Sequence, residues 1–239
     1  MREISAKTPL WKAIADALRS DLADGRYAPG DKLPTEAALA GRFGVNRHTV
    51  RHGIAALVDE GLIRTRRGAG AFVAATPTDY PIGKRVRFHE NLIAAGRKPT
   101  KRILQVEERA ATPGEARALA IAPGDPVCAC HGLSLADGQP IALFESLFPL
   151  AHLAGIATHL QSNSGITEAL NAVGVRDYTR ASTRLTAMRA TAPQALHLQL
   201  AEGDPVLKAT GVNVDEAGQP VEYGRTWFAG DRVTLTVGA

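Results

Sequence analysis

Hydrophobic positions near the start of the chain follow two different spacings. Between residues 9 and 57 they recur every three or four residues in three runs, which predicts amphipathic helices at 9–23, 35–43 and 46–57. Residues 62–73 follow the pattern of a strand, a basic glycine-containing turn and a second strand, which predicts a β-hairpin. Helices joined by a short glycine turn and followed by a hairpin are typical of a winged helix-turn-helix. In that motif the second helix of the pair enters the DNA major groove.

The predicted helices begin with capping signals. Pro9 is expected as the first helical residue, and Thr35 as the N-cap of the second helix, with Glu36 favourable at its positive end. In the third helix an apolar stripe forms the predicted inner face: Val50, Ile54 and Leu57. The polar residues that point away from it are Arg47, His48, Arg51 and His52. His48 and His52 have the spacing of a metal-binding pair, but no third ligand lies nearby in sequence, so we expect no metal here.

Charge is divided unequally between the two parts of the chain. Residues 1–74 carry 12 Lys and Arg against 8 Asp and Glu, whereas residues 75–239 carry 16 of each, so the net charge of +4 belongs to the first part. A basic module joined to a neutral one favours a polyanion partner for the first. In the predicted hairpin Arg64, Arg66 and Arg67 are candidate phosphate contacts, and Gly68 and Gly70 let the tip approach a groove closely.

Neither a membrane segment nor a disulfide is expected. No apolar run approaches the roughly 18 residues of a membrane span, and the N-terminus has no pattern of a signal peptide. Cys128 and Cys130 have a spacing that does not suit a disulfide and are expected to be small core residues. These observations predict a cytoplasmic protein that does not contact a membrane.

The motifs of residues 9–73 resemble the GntR family of bacterial regulators. The matching motifs include the segments 25–36, 39–51, 60–63 and 68–73. The resemblance implies a homodimer that reads a short palindrome in double-stranded operator DNA. Together with the basic helix and hairpin, it gives the expected DNA contacts: Thr35, Glu36, Arg47, His48, Thr49, Arg51, Arg66, Gly68 and Gly70.

The rest of the chain resembles itself at an offset of 78 to 80 residues. Residues 124–127 return as 203–206, and residues 138–141 return as 218–221. Each unit is predicted to contain a helix, a strand, a short helix and a β-hairpin, with helices at 88–95 and 166–173 and strands at 101–109 and 180–188. We therefore expect an α+β protein with a winged helix-turn-helix at 1–74, a linker at 75–85, and an antiparallel-sheet domain at 86–239 that forms a ligand cleft between its halves.

Candidate effector residues cluster in repeat-related positions. Tyr178, Arg180, Ser182 and Arg184 alternate along one predicted strand, so Arg180 and Arg184 are expected to converge on one anion. Glu145 corresponds to Arg225 in the repeat, and Glu222 and Tyr223 lie close by in sequence. The full expected set is Arg87, His89, Ser134, Glu145, Tyr178, Arg180, Arg184, Glu222, Tyr223 and Arg225. For each residue taken singly, a surface salt bridge is the alternative.

Residues 86–237 resemble the effector domain of the HutC branch of GntR regulators. The matching motifs include 135–142 and 218–223. The resemblance implies a fold like that of chorismate lyase and the binding of a small metabolite. Sugar-phosphate-sensing members carry arginines where this chain has Gly132 and Ser134, whereas the segments 87–91, 177–181 and 224–232 look like the phosphonate-metabolism regulators of the branch.

These patterns favour an operator-binding homodimer, a repressor that is controlled by a small anionic metabolite such as a phosphonate, phosphate or phosphate ester. One alternative is a lyase-like enzyme fused to a DNA-binding head, but the sequence contains no nucleophile motif, metal-binding set or cofactor fingerprint. Another alternative is an architectural DNA-binding protein that senses no ligand.

Overall fold

The computed structural model describes residues 9–66, 68, 70–74, 77–85, 88–162 and 165–237, with the backbone alone at Arg66. The chain divides into two compact units, Met1–Thr76 and Pro77–Ala239. The arrangement within each unit follows from its own sequence pattern.

The N-terminal unit contains helices α1 (Leu10–Ala23), α2 (Glu36–Phe43) and α3 (Arg47–Asp59), and the antiparallel strands β1 (Ile63–Arg66) and β2 (Gly70–Val73). The predicted stripe of α3 is buried against α1 and α2 in a core that also contains Leu18 and Leu39. Pro9 occupies the N-cap of α1 and not its first turn, because its ψ of 138° is extended. The predicted winged helix-turn-helix is confirmed.

The C-terminal unit is built on a sheet in the order β4–β5–β6–β9–β8–β7, in which all neighbours are antiparallel. In chain order its elements are β3 (Thr78–Pro81), α4 (Phe88–Ala94), β4 (Pro99–Ala110), α5 (Pro113–Leu119), β5 (Pro126–Ala136), β6 (Gln139–Pro149), α6 (Ile156–Gln161), α7 (Ile166–Ala172), β7 (Thr179–Arg189), α8 (Ala192–Leu198), β8 (Pro205–Val214), β9 (Pro220–Ala229) and β10 (Val233–Thr236). Strands β6 and β9 pair at the centre, which places the two sequence repeats side by side.

The segment predicted as a linker is in part a strand. Residues 78–81 form β3, which pairs in parallel with β10 near the end of the chain. Thr78 and Tyr80 are buried, and Tyr80 packs against Phe228. The sequence pattern did not indicate this strand, because it is only four residues long, lies among Pro77, Pro81 and Gly83, and pairs with a strand about 150 residues further along the chain.

Different helices pack on the two faces of the sheet. Helices α5 and α8 pack on one face, whereas α6 and α7 enclose a core on the other, together with Cys128, Cys130 and Phe148. Both cysteines are buried and free, which confirms that they are core residues. Burial raises the pKa of the Cys128 thiol to about 11, so the thiol remains protonated at neutral pH.

A buried carboxylate anchors α5 to the sheet. Glu115 accepts hydrogen bonds from the Arg109 guanidinium at 2.8 and 3.0 Å, from Arg225 at 2.9 Å and from the Thr112 backbone N–H at 3.0 Å. Arg225 also donates to Glu145 at 2.8 Å. The hydrogen bonds from Arg109 are the main cause that holds the pKa of Glu115 far below its usual range, so the carboxylate is charged at neutral pH.

We expect Glu115→Gln to lower the free energy of unfolding of the C-terminal unit at pH 7 by about 3 kcal/mol, because it removes the buried counter-charge of two partly buried guanidiniums. The pKa of Glu115 is lower in the folded protein than in the unfolded chain. The stabilisation that the ionised carboxylate provides is therefore fully present above the unfolded pKa, near 4.3, and is lost as the pH falls through the folded pKa. Urea unfolding in a Trp11→Phe background, in which Trp227 is the remaining tryptophan, measures this. The same substitution at exposed Glu202 is the control, and equal losses in the two variants would contradict the prediction.

Candidate nucleic-acid interface and effector site

The turn between α2 and α3 fixes the start of the recognition helix. Gly44 ends α2 in the left-handed region, with φ of 65°. The side chain of Asn46 caps α3 by accepting hydrogen bonds from the Thr49 N–H at 2.8 Å and the Thr49 hydroxyl at 2.9 Å. Thr35 caps α2 in the same way, since its hydroxyl accepts from the Ala38 N–H at 3.2 Å. Thr35, which was expected to touch DNA, therefore caps the N-terminal end of α2.

Exposed polar side chains lie on the first two turns of α3. Arg47, His48 and Arg51 are all exposed. Arg51 donates two hydrogen bonds to the Glu36 carboxylate, at 2.9 and 2.7 Å, and this contact is the main cause of the lowered pKa of Glu36. Within the described residues Arg47 makes no hydrogen bond or ion pair, so its guanidinium is available to a partner. His52 stacks on Trp11 with ring centroids 4.3 Å apart, which gives that histidine a structural contact.

A further cation, Lys32, lies against the hairpin. Gly68 and Gly70 have φ values of 74° and 110°, which L side chains rarely adopt. A Cβ at Gly70 would lie 3.1 Å from Cε of Lys32, so this lysine, which the sequence analysis missed, lies against the hairpin. The side chain of Arg66, expected to contact phosphate, lies outside the described residues, as does Arg67.

A cavity of about 630 Å³ opens on the sheet face that carries α4, α6 and α7. Its wall contains five of the expected effector residues: His89, Ser134, Tyr178, Arg180 and Glu222. Further polar residues that line it are Glu90, Thr100, Lys101, Ser146, Thr167, Glu168, Thr183, Asn213 and Thr226. Arg87 lies outside the described residues.

The internal repeat appears as two matching rows of residues across the strands, and all of these residues except Ala142 line the cavity. In the first row Lys101 pairs with Ser134, and Ser134 pairs with Ala142. In the second row Arg180 pairs with Asn213, and Asn213 pairs with Glu222. Each row thus begins with a cation on an edge strand and continues with a hydrogen-bonding side chain. The third position breaks the symmetry, because it is a small apolar residue in one row and a carboxylate in the other.

Neutral donors hold the carboxylate of Glu222 in place. The Ser146 hydroxyl donates to one of its oxygens and the Asn213 amide donates to the other, each at 2.6 Å. Glu222 and Asn213 are buried, with 7% and 4% of their surface exposed. The carboxylate is therefore fixed at the wall of the cavity.

Arg180 reaches the cavity across a glycine. A Cβ at Gly211 would lie 2.0 Å from Nη1 of Arg180, so the guanidinium crosses the space that any larger residue would fill. Nε of Arg180 and the hydroxyl of Thr183 are buried and lack a hydrogen-bond partner within the described part of the chain. Both polar groups line the cavity and are available to a ligand.

A β-bulge makes part of the predicted cluster wrong. The register of β7 shifts between Arg180 and Ser182, so the side chain that follows Arg180 on the cavity face is Thr183. Ser182 and Arg184 are exposed and do not line the cavity. Arg180 and Arg184 therefore do not converge, because the extra residue reverses the alternation of side chains beyond it.

The alternation of side-chain direction along β6 and β9 also excludes three residues from the expected effector set. Phe144, Ser146, Glu222 and Gly224 line the cavity, so the alternating neighbours Glu145, Tyr223 and Arg225 face the opposite side of the sheet. There Glu145 and Arg225 belong to the ion-pair network of Glu115. Glu145 and Arg225, which correspond in the repeat, therefore form an ion pair on the face opposite the cavity.

Lys101 is a cavity residue that the sequence analysis missed. Its ammonium lies 4.7 Å from the ring centroid of Phe144 and 5.4 Å from that of Phe88. Burial lowers the pKa of Lys101, and the charge of Glu222 opposes that shift. The signal was present in the repeat, since Lys101 precedes Arg180 by 79 residues, within the offset of 78 to 80.

Comparisons with known proteins agree with this architecture. The family of "Bacterial regulatory proteins, gntR family" matches residues 10–73, and the UTRA domain matches residues 94–234. An "Uncharacterized HTH-type transcriptional regulator" of Rhizobium meliloti (strain 1021) is 38% identical, over 95% of this chain and 94% of that protein. The "Probable transcriptional regulator PhnF" of Escherichia coli (strain K12) is 32% identical, over 95% of this chain and 94% of its own length.

Among solved structures, PhnF from Mycobacterium smegmatis is similar in fold, with a TM-score of 0.66. The alignment covers 95% of this chain and 98% of that one at 23% identity. The matched gntR family and both of these relatives are described as transcription regulators and not as enzymes. None of the helices in the described residues is long and apolar enough to cross a membrane.

Proposed function

The chain belongs to the GntR family of bacterial regulatory proteins and carries a UTRA domain, and on that premise we propose that it is an operator-binding repressor controlled by a small anionic effector. The proposed effector class is a phosphonate, phosphate or phosphate ester, and the proposed targets are genes of phosphonate uptake or metabolism. The protein acts in the cytoplasm as a homodimer.

The single observation that carries the effector class is the pair of cations in repeat-related positions of one cavity, Lys101 and Arg180. Arg180 has a buried nitrogen that lacks a partner within the described residues, and a tetrahedral oxyanion offers several acceptors to such donors. The resemblance of segments 177–181 and 224–232 to phosphonate-metabolism regulators supports the same class.

Operator recognition is assigned to the first two turns of α3 and to the hairpin. Arg47, His48, Thr49 and Arg51 would contact base edges and phosphates in the major groove. Glu36 would act as a positioning residue, because its carboxylate holds the Arg51 guanidinium. Gly68 and Gly70 would let the hairpin tip, with Arg66, approach the sugar-phosphate backbone.

The proposed control is a population shift in the dimer. A dimer binds a palindrome only when its two recognition helices match successive major grooves, roughly 34 Å apart. An effector that binds better to a dimer with another spacing lowers operator occupancy by its differential affinity for the two states. This requires no catalytic step.

The test is a gel-shift titration on the DNA upstream of the protein's own gene, with and without ethylphosphonate and inorganic phosphate. We expect nanomolar binding at physiological salt and at least a tenfold loss of affinity with one of the anions. Tight binding that no anion alters would support an architectural role and contradict effector control. Absence of a specific shift would contradict operator binding. An Arg117→Ala variant, changed at an exposed arginine of the C-terminal unit, is the control.

A further inference from the structure

Two facing glycines bring opposite charges over neighbouring positions of the cavity wall. Gly211 on β8 pairs with Gly224 on β9. A Cβ at Gly211 would lie 2.0 Å from Nη1 of Arg180, and a Cβ at Gly224 would lie 3.6 Å from Oε1 of Glu222. Because Cβ positions of directly opposed residues are about 5 Å apart, the guanidinium and the carboxylate lie within reach of one small ligand.

The opposite charges do not neutralise each other directly. Among the described residues no ion pair joins Arg180 to Glu222, and the two hydrogen bonds on the carboxylate come from neutral groups, Ser146 and Asn213. A buried ionised carboxylate is costly unless a positive charge compensates it. Lys101 acts on this carboxylate through its charge, but no hydrogen bond joins the two within the described residues, so an ammonium group on the ligand would add the direct contact.

The broken symmetry of the wall points in the same direction. In the related row the position of Glu222 is occupied by Ala142, so each row has a cation but Glu222 has no counterpart in the other row. Two further carboxylates, Glu90 and Glu168, also line the cavity. A ligand that carries only negative charge would be repelled by Glu222. A ligand with separate positive and negative ends matches both features of the wall.

We propose that the effector is a zwitterion, a short aminoalkylphosphonate or aminoalkyl phosphate ester, whose anionic group binds Arg180 and Lys101 and whose ammonium binds Glu222. This inference rests on the proposed function, since it specifies the effector of that cavity. The anionic end satisfies the buried nitrogen of Arg180, and the ammonium end pairs with the fixed carboxylate.

The experiment compares ethylphosphonate with its 2-amino derivative, two probes that differ only in the ammonium group, by isothermal titration calorimetry on the full chain. We expect the amino derivative to bind at least tenfold more tightly to the wild type. In Glu222→Gln this preference should fall to less than threefold, because the amide lacks the charge. Its amide can donate to the Ser146 hydroxyl, so the fold should persist, as thermal unfolding will verify.

The matched control is Glu202→Gln, which removes an exposed carboxylate outside the cavity and should keep the tenfold preference. Equal affinity of the wild type for both probes, or an unchanged preference in Glu222→Gln, would overturn the zwitterion while leaving an anionic effector in place. If neither probe binds at 10 mM, the proposed phosphonate effector fails and this inference fails with it.

Discussion

Replacing Arg47 with alanine is expected to weaken operator binding by about 10- to 100-fold while the fold of the N-terminal unit remains intact. Arg47 is exposed at the first position of α3, directly after the cap Asn46. Within the described residues its guanidinium makes no hydrogen bond or ion pair, so its removal costs the free protein little. The loss of operator affinity should therefore come wholly from contacts in the complex with DNA and not from a less stable free protein.

Substitution of Arg47 tests the operator interface more directly than substitution of Arg51, although both residues lie on the same side of α3. Arg51 already makes two hydrogen bonds to Glu36, and DNA binding must either keep that pair or exchange it. The net effect of its removal is thus the difference between two contacts. Arg47 has no hydrogen bond within the described protein to exchange for a contact to DNA, so the expected loss of operator affinity is larger.

Fluorescence anisotropy on the operator and on a scrambled duplex, at several salt concentrations, measures the effect of Arg47→Ala. A loss confined to the operator indicates a base contact, whereas a uniform loss with a salt slope reduced by about 1 indicates a phosphate contact. Arg117→Ala, in which an exposed arginine of α5 is removed, should retain wild-type affinity. An Arg47→Ala protein that binds the operator like the wild type would remove this side chain from the interface.

The N-terminal fold could be predicted from the sequence because its determinants are local. Thr35 and Asn46 cap the helices that follow them through hydrogen bonds to residues three positions along the chain. The left-handed Gly44 ends α2 within the same few residues. Such signals depend on near neighbours, so a sequence pattern carries them.

The repeat predicted the order of elements in the C-terminal unit but not which side chains share a face. Side-chain direction alternates along a strand, so one bulge after Arg180 moved Ser182 and Arg184 off the cavity face. The pairing of β3 with β10 was also hidden, because it joins segments that are far apart in the sequence. Lys101 could have been found from the sequence, since alignment of the two repeats places it at the position that corresponds to Arg180.

The bulge predicts that two arginines of β7 contribute differently to the binding of the anion. Arg180→Ala should reduce the affinity for ethylphosphonate by about 10- to 100-fold, the effect of one lost charge-assisted contact. Arg184→Ala should change it less than twofold, because Arg184 is exposed and does not line the cavity. The fold should tolerate Arg180→Ala, since Nε of Arg180 is buried without a partner in the described chain and its removal relieves that cost.

Calorimetric titration of the two full-length variants with ethylphosphonate measures these affinities, and operator binding without the anion should equal that of the wild type in both. That second readout matters, because a variant that has lost its fold would fail to bind DNA as well as the anion. Equal losses in Arg180→Ala and Arg184→Ala would mean that both guanidiniums reach the ligand, as regular alternation along an unbroken strand would require. Unchanged affinity in Arg180→Ala would place the anion elsewhere in the cavity. A loss in Arg180→Ala alone would show that the extra residue in β7 decides which arginine senses the effector.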